Sequence, residues 1–143
     1  MPRIEGQRIF SCPVEKLFSV ALAIERYPDI LPYVKSVRIL SREEGRIAAS
    51  LTLGLSFMTL TYGCEIHYKP NMLIEVRSRD PGFTRFGSRC LFEQLAERTR
   101  ISYALDARFA QPVLELLARA VMPYQADATL RAFERYLNAG GGL

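Results

Sequence analysis

The chain has 143 residues, 49% hydrophobic and 24% charged, with 19 basic against 15 acidic side chains and a formal net charge of +4. That composition excludes a disordered chain, and no apolar run approaches the ~18 residues that a membrane-spanning helix needs. A single histidine, no tryptophan and three widely spaced cysteines argue against a histidine-rich metal centre, a zinc motif or a disulfide framework, and fit a reducing compartment. The opening MPRIEGQRIF has no apolar signal core, so the expected station is the cytoplasm, with peripheral contact at the inner membrane as the alternative. Only Lys16, Lys35 and Lys69 are lysines, and no basic run exceeds one residue, so the positive charge reads as scattered and solvating.

The length predicts one domain, over residues 1–139, that buries about two-thirds of its unfolded surface; Gly140–Leu143 reads as a fraying tail. In chain order, Arg3–Phe10 reads as a strand. Ser11-Cys12-Pro13 follows as a helix start, with Ser11 or Cys12 near the cap and Pro13 in the first turn. Leu17, Phe18, Ala21, Leu22 and Ile24 recur at helical spacing to about Glu25. Pro28 and Pro32 forbid a regular helix through YPDILPY, predicting a compact turn or a short irregular helix. Strands are expected over Val34–Ser41, Arg46–Leu53, Thr59–Tyr68, Leu73–Ser78, Ser88–Gln94 and Thr99–Phe109. Period-two alternation puts Ile47, Ala49, Leu51 and Leu53 on one face of their strand, and Leu60, Tyr62, Cys64 and Ile66 on one face of the next. Ile74, Val76, Cys90, Phe92, Ile101, Tyr103, Leu105 and Phe109 face inward by the same rule.

The last element opens at Pro112 and runs to about Asn138, with a kink expected at Pro123. Glu115, Arg119, Asp127, Arg131 and Arg135 are assigned to its outer side, and Leu117, Val121, Tyr124, Ala128 and Ala132 to its inner side. An antiparallel meander cannot cover its own apolar face, so the long helix must lie across it. The predicted class is α+β, an antiparallel sheet wrapped around a long C-terminal helix in a helix-grip arrangement.

Little in the sequence points to catalysis. His67 alternates outward, on the face opposite Cys64, and Cys90 falls inward, so no cysteine–histidine nucleophile pair forms. Glu65, Glu93 and Asp106 also alternate outward and make no dyad, and no glycine loop cradles a phosphate. What stands out is the aromatic content of the inner face: Tyr62, Phe83, Phe86, Phe92, Tyr103, Phe109 and Tyr124 either fill the core or line a hollow for an apolar ligand.

Three motifs, in order and spanning nearly the whole chain, carry a resemblance. Tyr27-Pro28-Asp29-Ile30-Leu31-Pro32-Tyr33 resembles the Tyr-Pro-x-x-Leu-Pro-Trp signature of the coenzyme Q-binding, START-like proteins. Pro81 to Phe92 resembles their Gly-Pro-Phe-x-x-Leu-x-Gly-x-Trp-x-Phe signature, and Ala132-Phe133-Glu134-Arg135 their Ala-Phe-Glu-x-Arg close. Tyr33 and Cys90 stand where that family has tryptophan, and Pro81-Gly82 reverses its Gly-Pro order. The wider group is the polyketide cyclase/dehydrase and lipid-transport superfamily, some bacterial members of which are described as toxins blocking ribosomal subunit association. The resemblance implies a START-like, Bet v-like helix-grip fold that binds a hydrophobic small molecule without catalysis and without a cofactor, the family ligand being ubiquinone, in support of respiration. On that reading Tyr33, Tyr62 and Tyr103 hold a quinone headgroup, and Leu117, Val121 and Met122 line the path of its tail. Phe83, Phe86, Cys90 and Tyr124 complete the expected ligand site, gated by YPDILPY and the DPGF loop. The alternatives are a ribosome or RNA binder using Arg77, Arg79, Arg85 and Arg89, and a cyclase or dehydratase acting in the same cavity.

Overall fold

The computed structural model describes residues 3–140 apart from Ser56; the expected tail residues Gly141 to Leu143 lie outside the described residues. Seven strands follow one another as β1 (Arg3–Phe10), β2 (Val34–Glu43), β3 (Arg46–Leu55), β4 (Met58–Lys69), β5 (Leu73–Arg77), β6 (Phe83–Leu95) and β7 (Arg98–Phe109). They form one antiparallel sheet in the order β1-β7-β6-β5-β4-β3-β2, so the first strand closes against the last and the rest is a meander. Two helices, α1 (Val14–Leu22) and α2 (Tyr27–Ile30), lie between β1 and β2, joined by a 3-10 turn at Ile24–Arg26. At the C-terminal end α3 (Pro112–Val121) and α4 (Gln125–Asn138) are joined by a 3-10 turn at Met122–Tyr124. This is the predicted α+β helix-grip, with the apolar face of the sheet turned to the helices.

The alternation settles which face is inner. Ile47, Ala49, Leu51, Tyr62, Cys64, Ile66, Ile74, Phe92 and Ile101 are all buried, and the strand neighbours of each turn outward. Two adjacent rungs of the outer face read Arg46–His67–Glu75–Arg89–Ala104–Glu5 and Ala48–Glu65–Arg77–Gly87–Asp106–Arg3, with acids and bases interleaved. His67 is there, exposed beside Glu65. The four arginines weighed as a polyanion site do not form a basic track: Arg85 is held by Asp106 at 3.1 Å and Arg89 by Glu75 at 3.8 Å, while Arg77 pairs across from Glu65.

Helix α4 packs over β1 and β7, and a glycine makes this possible. A Cβ on Gly6 would come within 3.1 Å of the Ala126 Cβ, so the two smallest side chains meet where helix and strand cross. Beside them Arg8, on the inner face of β1, reaches Glu134 at 2.7 Å and Asp127 at 3.9 Å.

Several expectations are corrected. Helix α1 stops at Leu22 rather than running to about Glu25, and neither Ser11 nor Cys12 caps it; the Val14 N–H donates instead to the Gln94 side-chain oxygen of β6, at 2.9 Å. Strand β6 begins at Phe83 rather than Ser88, so Phe83 belongs to a strand and not to the expected DPGF gating loop. The remaining turn at Asp80–Gly82 is pinned: the Asp80 carboxylate accepts from the Gly82 and Gly63 N–H groups, at 2.9 and 3.2 Å. The inner face of the C-terminal helices is also rotated from expectation. Its buried residues are Leu114, Ala118, Ala126, Thr129, Leu130, Ala132 and Phe133, whereas Tyr124 is 72% exposed and Leu117 only half-buried. The 3-10 turn that carries Pro123 restarts the helical phase, so one periodicity cannot be drawn through both halves.

Candidate functional site

Between sheet and helices lies a cavity of about 350 Å³. The sheet contributes Leu51 and Leu53 from β3, Tyr62 from β4, Ile74 and Val76 from β5, Phe86, Ser88 and Cys90 from β6, and Ile101, Tyr103, Leu105 and Phe109 from β7. Tyr27 and Leu31 close it at α2 and Tyr33 at the start of β2, while Ala118, Val121, Met122, Gln125, Thr129, Leu130 and Phe133 close it from the C-terminal helices. Apart from Ser88, Gln125, Thr129, the tyrosine hydroxyls and the Cys90 thiol, every one of these side chains is apolar.

Of the ten residues expected at a ligand site, seven line this cavity: Tyr33, Tyr62, Phe86, Cys90, Tyr103, Val121 and Met122. Phe83 stands behind the wall, in an aromatic cluster with Tyr62, Phe86 and Phe109 at centroid distances of 4.8 to 5.0 Å. Leu117 and Tyr124 are not part of the lining, and Phe92 packs under α1 against Phe18 at 5.2 Å. Sequence reasoning missed Tyr27, Gln125 and Thr129. The last two were findable, because polar residues four apart on an otherwise apolar helix face need a partner, and that partner is the Tyr33 hydroxyl. Tyr33 and Thr129 share a hydrogen bond of 2.9 Å, and the Gln125 amide donates to the same Thr129 oxygen at 3.4 Å. Tyr27 donates to the Ala21 carbonyl and packs edge-on against Phe133 at 5.6 Å.

Tyr62 and Tyr103 are the exceptions. Neither hydroxyl is engaged by a hydrogen-bond partner among the described residues, and both side chains face the cavity. Burial drives the phenol pKa values of Tyr27, Tyr33, Tyr62 and Tyr103 upward, and Tyr103 is further raised by Tyr33, Cys90, Tyr27 and Tyr62 around it. Burial also pushes the Cys90 thiol up to about 12. At neutral pH these groups are therefore uncharged hydrogen-bond donors, not nucleophiles or bases. Among the described residues no carboxylate, imidazole or ammonium group lines the cavity. Nor do three or more histidine, cysteine or acidic side chains come together as a metal site there.

An antiparallel sheet gripping two C-terminal helices over an apolar, phenol-lined hollow is the helix-grip fold of START-type proteins. The chain belongs to the polyketide cyclase/dehydrase and lipid transport family, whose pattern matches residues 11–134. Among its relatives, the ribosome association toxin RatA of Pseudomonas aeruginosa is 22% identical over 131 residues, covering 91% of both chains. The mitochondrial coenzyme Q-binding protein COQ10 of Dictyostelium discoideum is 27% identical over 128 residues, 86% of this chain and 62% of that one. Similar solved structures share the fold: TTHA0849 of Thermus thermophilus (TM-score 0.83, 19% identity, 97% and 99% of the two chains), and the Zhui aromatase/cyclase of Streptomyces sp. R1128 (TM-score 0.77, 20% identity, 99% and 98%). A START superfamily protein of Mycobacterium smegmatis matches with a TM-score of 0.80 at 19% identity, over 96% and 97% of the chains.

Proposed function

We propose that this protein is a non-enzymatic binder and carrier of a hydrophobic, carbonyl-bearing molecule, and that the molecule is a polyprenylated quinone of the ubiquinone type. The observation that carries the reading is the pair of neutral, unengaged phenols, Tyr62 and Tyr103, facing an otherwise apolar cavity. A quinone ring presents carbonyl acceptors and an apolar body, which is what two donors in a greasy hollow recognise. The volume of about 350 Å³ is near the lower end of the usual range of ~300–1,000 Å³. It suits a headgroup and the first part of a tail, with the rest of the tail leaving past Val121 and Met122. The relative named as a coenzyme Q-binding protein supports this ligand class. Among the described residues the lining holds no carboxylate, imidazole or ammonium group, which favours binding over a cyclase or dehydratase reaction, a chemistry the family description also names.

Extraction of the purified protein and mass spectrometry of what it holds is the direct test, followed by titration with a short-chain quinone. Replacing Tyr62 or Tyr103 with phenylalanine removes one hydrogen bond each and should weaken quinone binding by roughly two- to tenfold per site. Unchanged affinity in both variants overturns the headgroup assignment. Recovery of a polyketide-like aromatic instead of a quinone turns the reading toward the cyclases.

A second reading, association with ribosomal subunits, is favoured by the near-complete coverage shared with the ribosome association toxin. Co-sedimentation with subunits that falls steeply with added salt would establish it.

A further inference from the structure

Helix α3 is apolar on both sides. Its inner side buries Leu114 and Ala118, and Ala118 lines the cavity; its outer side presents Val113, Leu116 and Ala120 to solvent, continued by Tyr124, and Leu116 is 68% exposed. Only two of its residues are charged: Glu115 is turned back to accept the Phe109 N–H at 2.9 Å, and its other carboxylate oxygen pairs with Arg119 at 3.3 Å. A surface helix of a folded domain carries a polar outer face, so the exposed apolar strip of Val113, Leu116 and Ala120 points to a contact. The same end of the sheet carries Phe57, 79% exposed in the turn between β3 and β4. Val121 belongs to both surfaces: it lines the cavity and is 44% exposed.

The charges around this patch name its partner. Lys35 lies with its stem across Gly54 at the cavity wall. Arg79 precedes the Asp80–Gly82 turn, and Arg108 stands just before α3. None of these three cations has a carboxylate partner among the described residues. Two copies meeting through this patch would bring the same cations face to face, which disfavours self-association. A lipid surface with anionic headgroups accepts both halves of the pattern, apolar side chains inserted at the headgroup boundary and cations around them. We propose that the outer face of α3, with Phe57, docks the protein on an anionic bilayer and so opens the cavity beside Val121 directly onto the lipid. This rests on the cavity holding an apolar ligand, which would then enter and leave without crossing water.

The test is flotation with phosphatidylcholine vesicles and with vesicles that also contain phosphatidylglycerol. The parent protein should float with the anionic vesicles, weakly with the neutral ones, and less at high salt. Leu116→Asp and Phe57→Asp, on two separate elements and neither in the cavity lining, should each lower vesicle affinity about tenfold or more, the worth of one buried apolar side chain. Met72→Asp, at an exposed methionine in the β4–β5 turn at the far end, should float like the parent. Cavity occupancy is read separately, by the fluorescence of anilinonaphthalene sulfonate in vesicle-free solution. Failure of the parent to float, or equal flotation of all three variants, overturns the docking proposal even where the dye still binds. Dimerisation of the parent that Leu116→Asp abolishes overturns it in favour of a second copy. Failure of the dye to bind a parent that does float leaves docking standing and removes the cavity reading beneath it.

Discussion

Cys90 stands at the wall of the cavity in a position where the resembled coenzyme Q-binding proteins carry tryptophan. Two outcomes were open for so large a loss of volume: neighbours could have grown into the space, or the space could have been kept. Tyr62 and Phe86 pack at 5.5 Å by ring centroids, and with Cys90 both border the hollow, which favours the second outcome. An unfilled apolar hole of about 350 Å³ costs on the order of 8 kcal/mol at ~24 cal/mol per Å³, comparable with the whole stability of a domain. The opening beside Val121 relieves part of that cost, and a bound ligand relieves more. Cys90→Trp should therefore leave the melting temperature of the ligand-free protein unchanged or raise it, while abolishing ligand uptake. A fall in stability of ~1–3 kcal/mol would be the signature of overpacking and would show that no free volume exists there.

At the scale of elements, α4 is held to β1 by two features that act together, the Gly6–Ala126 approach and the Arg8–Glu134 pair. The Arg8 guanidinium, hydrogen-bonded to Glu134, holds that carboxyl below its usual range. A carboxyl with a lowered folded-state pKa stabilises the protein above its unfolded value and loses that stabilisation as pH falls through the folded one. Thermal melts of Glu134→Gln and the parent should differ at neutral pH. The gap should start to close below about pH 4.3, the ordinary glutamate value, and vanish at lower pH still. A gap independent of pH would mean that the pair contributes shape rather than charge. The strands were legible because one face is buried and one is wet: a period-two pattern has only two phases, and Ile47, Ala49 and Leu51 settle which one holds. The C-terminal helices were not, for the opposite reason. With apolar side chains on both sides of α3 there is no polar face to fix the phase, and the turn at Pro123 breaks whatever phase α4 would lend it. Helical spacing from Leu117 and Val121 therefore places Tyr124 inward, where the structure exposes it, and gives no sign of the buried polar Thr129.

The whole molecule is a container with a charge-balanced back. The interleaved acids and arginines of the outer face cancel locally, while Lys35, Arg79 and Arg108 add positive charge at the α3 end. Filling the container should stabilise it as one unit, because the lining draws on every strand but β1 and on all four helices, with Ala21 of α1 joining the residues of α2, α3 and α4. A ligand at about a hundred times its Kd adds ~2.7 kcal/mol, and for a domain of this size a rise in Tm of roughly 10 °C. Differential scanning calorimetry with a short-chain quinone measures this; a Tm that does not move with quinone concentration removes the quinone from the candidates.

The pairing of β1 with β7 has a consequence in time. Each of its eight matched positions joins residues about a hundred apart in the chain, Arg3 with Asp106 at one end and Phe10 with Thr99 at the other. A meander such as β2 to β7 zips locally, hairpin by hairpin, but β1 has no hairpin partner and must wait until β7, which ends at Phe109, is present. During synthesis the first strand therefore emerges as an unpaired edge while its partner is still unmade, and the Gly6 seat for α4 cannot form before then. The arrival of the first strand is thus a late event of folding, and α4 settles over the cavity only once it has come.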